Sequence, residues 1–147
     1  MAATAPSSLF IDTGAFIALS FSDDSNHESA MRYYEPLPRT VKFVTTLLVV
    51  AETYTWLRYR VRYSTALSFL DGVDEALGRG TLVVVHSTPE LHCKTLDVLR
   101  SFDDADLSYV DASSFVVIED HGIHDVFTFD SHFHILRRNV WPISRES

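Results

Sequence analysis

The 147 residues carry 46% hydrophobic side chains, and twelve Lys and Arg against twenty Asp and Glu leave a formal net charge of −8. That length suits one domain, 1–147, able to bury roughly two-thirds of its unfolded surface, and the acidic balance excludes a generic basic nucleic-acid binder. The longest apolar runs, such as Leu47 to Ala51, fall far short of the roughly 20 residues that span a bilayer. Residues 1–8 lack the basic start and long apolar core of a signal peptide. A lone cysteine, Cys93, allows neither an internal disulfide nor a multi-cysteine zinc site. A soluble, cytoplasmic protein without membrane attachment is expected.

In chain order, Ser8 to Ile11 reads as a short buried strand, and Thr13 to Leu19 as a helix entered directly from it. Ser25 is placed to cap a helix from Asn26 to about Glu35, which Pro36 and Pro38 end. Val41 to Val44 is the next strand; long helices follow over Thr46 to Val61 and Ser64 to Leu77, the second closed by Gly78 and Gly80. Thr81 to Val85 is continuous and β-branched, the pattern of a strand buried on both faces. Ser87, Thr88 and Pro89 open a helix to about Arg100. After the charged loop Asp103 to Asp106, Ser108 caps a helix that runs to about Glu119 and ends at His121-Gly122. Val126 to Phe129 is a strand, and a last one falls near Val140. Strands alternating with helices imply an α/β fold whose mainly parallel sheet is covered on both faces.

Four acids interrupt the apolar stretches of this pattern: Asp12 after Leu9-Phe10-Ile11, Glu52 after Val49-Val50-Ala51, Asp111 between Val110 and Ala112, and Asp130 after Phe127-Thr128-Phe129. A carboxylate withdrawn from water costs several kcal/mol or gives up its charge. No Lys or Arg adjoins any of the four. Converging carboxylates sharing a divalent cation are the simplest arrangement, which points to metal-assisted hydrolysis. Asp12 and Asp130 stand at the carboxyl ends of predicted strands, where open parallel sheets place their ligand crevice. Either alone reads as a helix cap.

Glu52 has Leu48, Val49, Trp56 and Tyr59 at helical spacing, so it is expected to project from an apolar stripe rather than a wet face, in a metal or catalytic role; the alternative is a buried Glu paired with a distant Arg. Asp111 closes Ser108-Tyr109-Val110-Asp111, an S-x-x-D cap, and also sits above the apolar Phe115 and Ile118. Arg58, Arg60 and Arg62, interleaved with Tyr59 and Tyr63, read either as a local polyanion-binding face or as an ordinary solvated helix face. His121, His124, His132 and His134 lack the spacing of a zinc site and read as surface or capping residues. Cys93 reads as a core filler.

These residues resemble a family. Phe10-Ile11-Asp12-Thr13-Gly14-Ala15-Phe16-Ile17-Ala18-Leu19 resembles the opening strand and first acid of PIN-domain nucleases. Thr46 through Ala51-Glu52-Thr53 is similar to their helix-borne glutamate, Leu107 through Asp111-Ala112 to their third acidic motif, and Phe127 through Asp130-Ser131-His132-Phe133 to their fourth. Order and spacing resemble the compact VapC-type toxins over nearly the whole chain. Gly14, in place of a more usual small hydroxyl or alanine, and the acidic net charge depart from the pattern.

The resemblance implies a three-layer α/β/α sandwich and an endoribonuclease dependent on Mg²⁺ or Mn²⁺. It also implies inhibition by a small cognate antitoxin and assembly of homodimers. In such a site Asp12 and Asp111 are the direct metal ligands and Glu52 and Asp130 complete the pocket, with Thr13 and Thr128 orienting carboxylates or water. The rival expectation is a catalytically silent PIN-like module that only binds a protein partner.

Overall fold

The computed structural model of the protein describes residues 4–143. Residues 1–3, part of the stretch read against a signal peptide, and 144–147 lie outside the described residues. The elements run β1 (Ser8–Ile11), α1 (Thr13–Ser20), α2 (His27–Tyr34), β2 (Lys42–Thr46), α3 (Leu47–Arg60), α4 (Tyr63–Gly78) and β3 (Leu82–Val85). There follow α5 (Pro89–Ser101), α6 (Tyr109–Asp120), β4 (Asp125–Phe127), a 3-10 helix (Ser131–Leu136) and β5 (Asn139–Trp141).

All five strands are parallel, in the order β3-β2-β1-β4-β5. The chain therefore winds outward from β1 in one direction and returns to its other side with β4, leaving a switch point between β1 and β4. Open parallel sheets hold their crevice at the carboxyl ends of strands flanking such a point. The two ends are tied there: the Asp12 N–H donates to the Phe127 carbonyl at 3.1 Å, and the Thr45 hydroxyl of β2 donates to the Ile11 carbonyl at 2.8 Å.

Leu9, Phe10, Val126 and Phe127 are fully buried, as strands covered on both faces must be. Helix α1 packs on α2 and α3, and α3 on α4, while α5 and α6 pair with each other and α6 also meets β2. Residues Ala112 to Ile118 of α6 are buried all round, so its two serines need internal partners. Both Ser113 and Ser114 donate to the Val110 carbonyl at 2.9 Å. Gly122, at φ 60°, takes the left-handed turn that releases the chain after α6.

Several boundaries differ from expectation for identifiable reasons. Ser25 does not cap α2; Asn26 is the cap residue, and its N–H is held by Asp24 Oδ1 at 2.9 Å in a turn of its own. Thr46 ends β2 and caps α3, its hydroxyl accepting from the Val49 N–H at 3.0 Å, so strand and helix meet without a loop. Strand β4 stops at Phe127 because the next residues turn into the 3-10 helix. Cys93 is exposed rather than in the core: α5 buries Leu91 and Thr95, and a residue midway between two positions four apart faces the opposite side.

Candidate active site

Asp12, Asp111 and Asp130 each stand at the start of a helix, where the local chain positions them. Asp12 follows the last residue of β1 and is only 4% exposed. Asp130 follows β4 and starts the 3-10 helix, accepting from the His132 N–H at 2.9 Å. That helix is pinned by Phe133, fully buried against Phe10 and edge-on to Phe115 at 5.2 Å. Asp111 is held by a capping box, with its N–H donating to Ser108 Oγ at 3.0 Å and the Ser108 N–H reaching back to Asp111 Oδ2 at 3.4 Å.

Thr128 links the first and last acids. Its hydroxyl donates to Asp12 Oδ2 at 3.0 Å and accepts from the Asp130 N–H at 3.0 Å. From Asp130 the contacts continue through His132, whose Nδ1 lies 2.8 Å from Asp130 Oδ1 and 4.0 Å from Asp111 Oδ2. No well-aligned hydrogen bond forms at that nitrogen among the described residues. One ligand atom each of Asp111, Asp130 and His132 fall within 4.8 Å of one another.

Burial drives the electrostatics. It raises the Asp12 pKa from 3.8 to about 7, opposed by the Thr13 N–H and the Thr128 hydroxyl and reinforced by the charges of Asp111 and Asp130. Asp111 is raised by burial and then by Asp130, against the lowering effects of Ser108 and His132. Carboxylates held this way are expensive to ionise together. A cation between them offsets that cost, and carboxylate oxygens with one imidazole are donors that a divalent metal ion can take.

Glu52 departs from its expected setting. It is exposed on α3 and makes no ion pair among the described residues, so neither the projection away from water nor the alternative of a buried Glu–Arg pair describes it. The stripe at its spacing is real, but it is the wall of an open groove of about 560 Å³ that includes Leu48, Trp56, Tyr59, Arg60 and Val110. Periodicity showed a face and not what covers it. Val110, the neighbour of Asp111, shares that groove with Glu52. Arg58 lies over the Tyr63 ring at 5.2 Å.

His132 was the residue sequence reasoning passed over. Its pairing with His134 is tested against metal spacing and fails, and the useful signal was its place two residues after Asp130. In the 3-10 helix that offset returns the His132 N–H and Nδ1 to the Asp130 carboxylate. Thr13 is buried with its hydroxyl unpartnered among the described residues.

Known proteins resemble this chain in sequence and in fold. The 23S rRNA-specific endonuclease VapC20 of Mycobacterium tuberculosis is 32% identical over 126 residues, covering 85% of this chain and 91% of that protein. The crystal structure of Mycobacterium tuberculosis VapC20, described as a sarcin–ricin loop cleaving toxin, superposes with a TM-score of 0.77 at 28% identity, over 88% of this chain and 95% of the other. VapBC2 from Rickettsia felis, solved bound to a promoter DNA fragment, shares the fold alone, with a TM-score of 0.60 at 12% identity over 90% and 96% of the two chains. Residues 9–139 match the PIN domain, spanning every acid at the crevice, and the chain belongs to the PIN-domain family.

Proposed function

We propose that the chain is a divalent-metal-dependent endoribonuclease and the toxin of a toxin–antitoxin pair, acting in the cytoplasm as a single nuclease domain, 1–147. The observation that carries this reading is the convergence of Asp12, Asp111 and Asp130 on the switch point of a parallel sheet, linked through Thr128 and His132. The 32% identity to an rRNA-specific endonuclease supports RNA as substrate and makes the sarcin–ricin loop of 23S rRNA the first one to try.

In this reading Asp12 and Asp111 would hold a Mg²⁺ or Mn²⁺ ion, with Glu52 and Asp130 completing the acidic site directly or through water. The bound ion supplies an activated water and offsets charge on the phosphodiester. The chain supplies order. Thr128 fixes the rotamers of Asp12 and the backbone at Asp130, the capping box fixes Asp111, and His132 adds an imidazole beside the pair. Holding these groups before substrate arrives avoids reorganisation during the reaction.

The partner is a small antitoxin protein whose apolar segment lies along the groove of Leu48, Trp56 and Tyr59, with an arginine reaching the acids. Two toxin chains form a homodimer, an assembly that rests on the family resemblance. No helix among the described residues is long and apolar enough to cross a membrane, in keeping with this setting.

Purified, partner-free protein incubated with structured RNAs, with and without Mg²⁺ or Mn²⁺, tests the proposal. Cleavage is expected only with metal. Asp12→Asn and Asp111→Asn each lose more than the roughly 100-fold that removal of a mere supporting residue costs. Parental cleavage by either variant rejects the site.

A further inference from the structure

A second cavity, of about 570 Å³, opens beside the acids between α2 and the segment from the 3-10 helix to β5. It shares Thr128 and Asp130 with the crevice, so an occupant would lie beside the acids. Its size falls within the range of small-ligand sites, roughly 300–1,000 Å³. Nothing in the metal arrangement requires it.

Its lining has the mixed character that a nucleobase and its phosphate need. Asn26, Ser29 and His134 offer hydrogen-bonding groups, and Trp141 offers an aromatic face. That ring is held in advance, stacked on Tyr33 at 5.5 Å and 6° and fixed by its Nε1–H donating to Asp125 Oδ1 at 2.9 Å. Arg32 stands at the same wall with a side chain 68% exposed, paired among the described residues with Glu28 at 3.9 Å, itself 90% exposed. So loose a pair leaves the guanidinium available.

Charge strengthens the argument. A chain of net charge −8 presents three carboxylates to a polyanion, and close approach of RNA needs local cations to offset the repulsion. Arg32 lines this cavity together with Asp130 and supplies such a cation at its wall.

We infer that this cavity is a nucleotide subsite, which takes a base unstacked from single-stranded RNA next to the scissile phosphate while Arg32 meets the adjoining phosphate. The inference rests on the ribonuclease reading for its place in the reaction. Sequence-specific RNA recognition works on unstacked bases read at their edges and stacked on aromatic or guanidinium planes. The site therefore determines which residue can flank the cut.

The test is a titration of the full chain, in chelator, with 5′-mononucleotides and the matching nucleosides, followed by backbone amide NMR. Saturable shifts are expected at Asn26, Ser29 and His134 and not along α3. Arg32→Glu should weaken mononucleotide binding while sparing the nucleoside, and Ser29→Trp, which fills the cavity, should abolish both. Arg32 is exposed, so that variant keeps the fold even if the tryptophan disturbs it.

In RNA cleavage with metal, Arg32→Glu should raise KM about tenfold or more, as loss of a hydrogen bond to a charged group does. If the parent cleaves RNA but no cavity shifts appear and Arg32→Glu keeps the parental KM, the subsite is wrong and the ribonuclease reading stands. If mononucleotides bind in the cavity but no RNA is cut, the nucleotide site stands and the ribonuclease reading falls.

Discussion

Asp12 and Glu52 occupy nearly the same sequence context, each closing a run of apolar residues, yet the fold treats them oppositely. The run before Asp12 is a central strand, so the acid is drawn into the core edge and only 4% exposed. The run before Glu52 is the first turns of α3, where Val49 and Val50 face inward and Ala51 and Glu52 face out. In a strand at the switch point both faces are covered, whereas a helix buries one stripe and wets the other. Tyr59, 82% exposed on the same helix, marks how open that side is. One region encloses its acid, and the other leaves its acid on an open face.

The largest effect that separates them is on stability against pH. With its pKa raised from 3.8 to about 7, Asp12 keeps a proton in the folded chain that the unfolded chain has already released. Metal-free stability from this group is therefore lost as pH rises from about 4 through about 7, by something of the order of 4 kcal/mol. Asp111, also raised, acts with the same sign. Urea unfolding in chelator across that range should show a steeper fall for the parent than for Asp12→Asn. Glu52→Gln should follow the parent. Parallel curves for the parent and Asp12→Asn would place the burden of the acids elsewhere.

Metal should reverse the penalty. At a free ion concentration about 100 times its Kd, binding to the folded chain contributes about 2.7 kcal/mol, a melting rise of roughly 5–10 °C for a domain of this size. Asp12→Asn should lose most of that rise while Glu52→Gln keeps most of it. Equal rises in the parent and Asp12→Asn would show that the ions bind outside the crevice.

Thr128→Val removes the bridge between Asp12 and Asp130 without touching a carboxylate. Cleavage should fall about 10–100-fold, the usual cost of losing a group that orients ligands, and a metal titration should show the loss as weaker ion affinity. The smallest effect belongs to the groove. Tyr59→Ser should change stability by no more than about 0.5 kcal/mol and leave cleavage intact, but weaken antitoxin binding about tenfold. Unchanged antitoxin binding, measured by calorimetry, would take α3 out of the interface.

The parts of this architecture legible in the sequence are those written in short-range chemistry. The Ser108–Asp111 box, the strand before Asp12 and the Thr88–Pro89 helix start all depend on residues within a turn of each other, so local reading suffices; the β-branched run at β3 marks a strand but not one buried on both faces, because β3 is an edge strand with Val83 43% exposed. Thr46 and Asn26 show the limit, because the same residue types serve caps, turns and strand ends, and the neighbouring strand decides which. His132 escapes a reading based on α-helical spacing to His134, because the segment forms a 3-10 helix and its partner is Asp130. Glu52 departs from its expected setting because an apolar stripe names a direction without saying what lies along it, and Cys93 because residue type does not say which face of α5 it occupies.

By itself the sequence determined the order of strands and helices, the apolar strands of the core and three acids at element ends, since propensity, capping and hydrophobic periodicity act along the chain. Tertiary structure alone decided that β1 is the central strand, that Asp111 on α6 comes within reach of Asp130 and His132, and that Glu52 looks onto a groove. Those outcomes depend on how strands pair and helices dock across long separations. The contacts that select them join residues as far apart as Asp12 and Thr128.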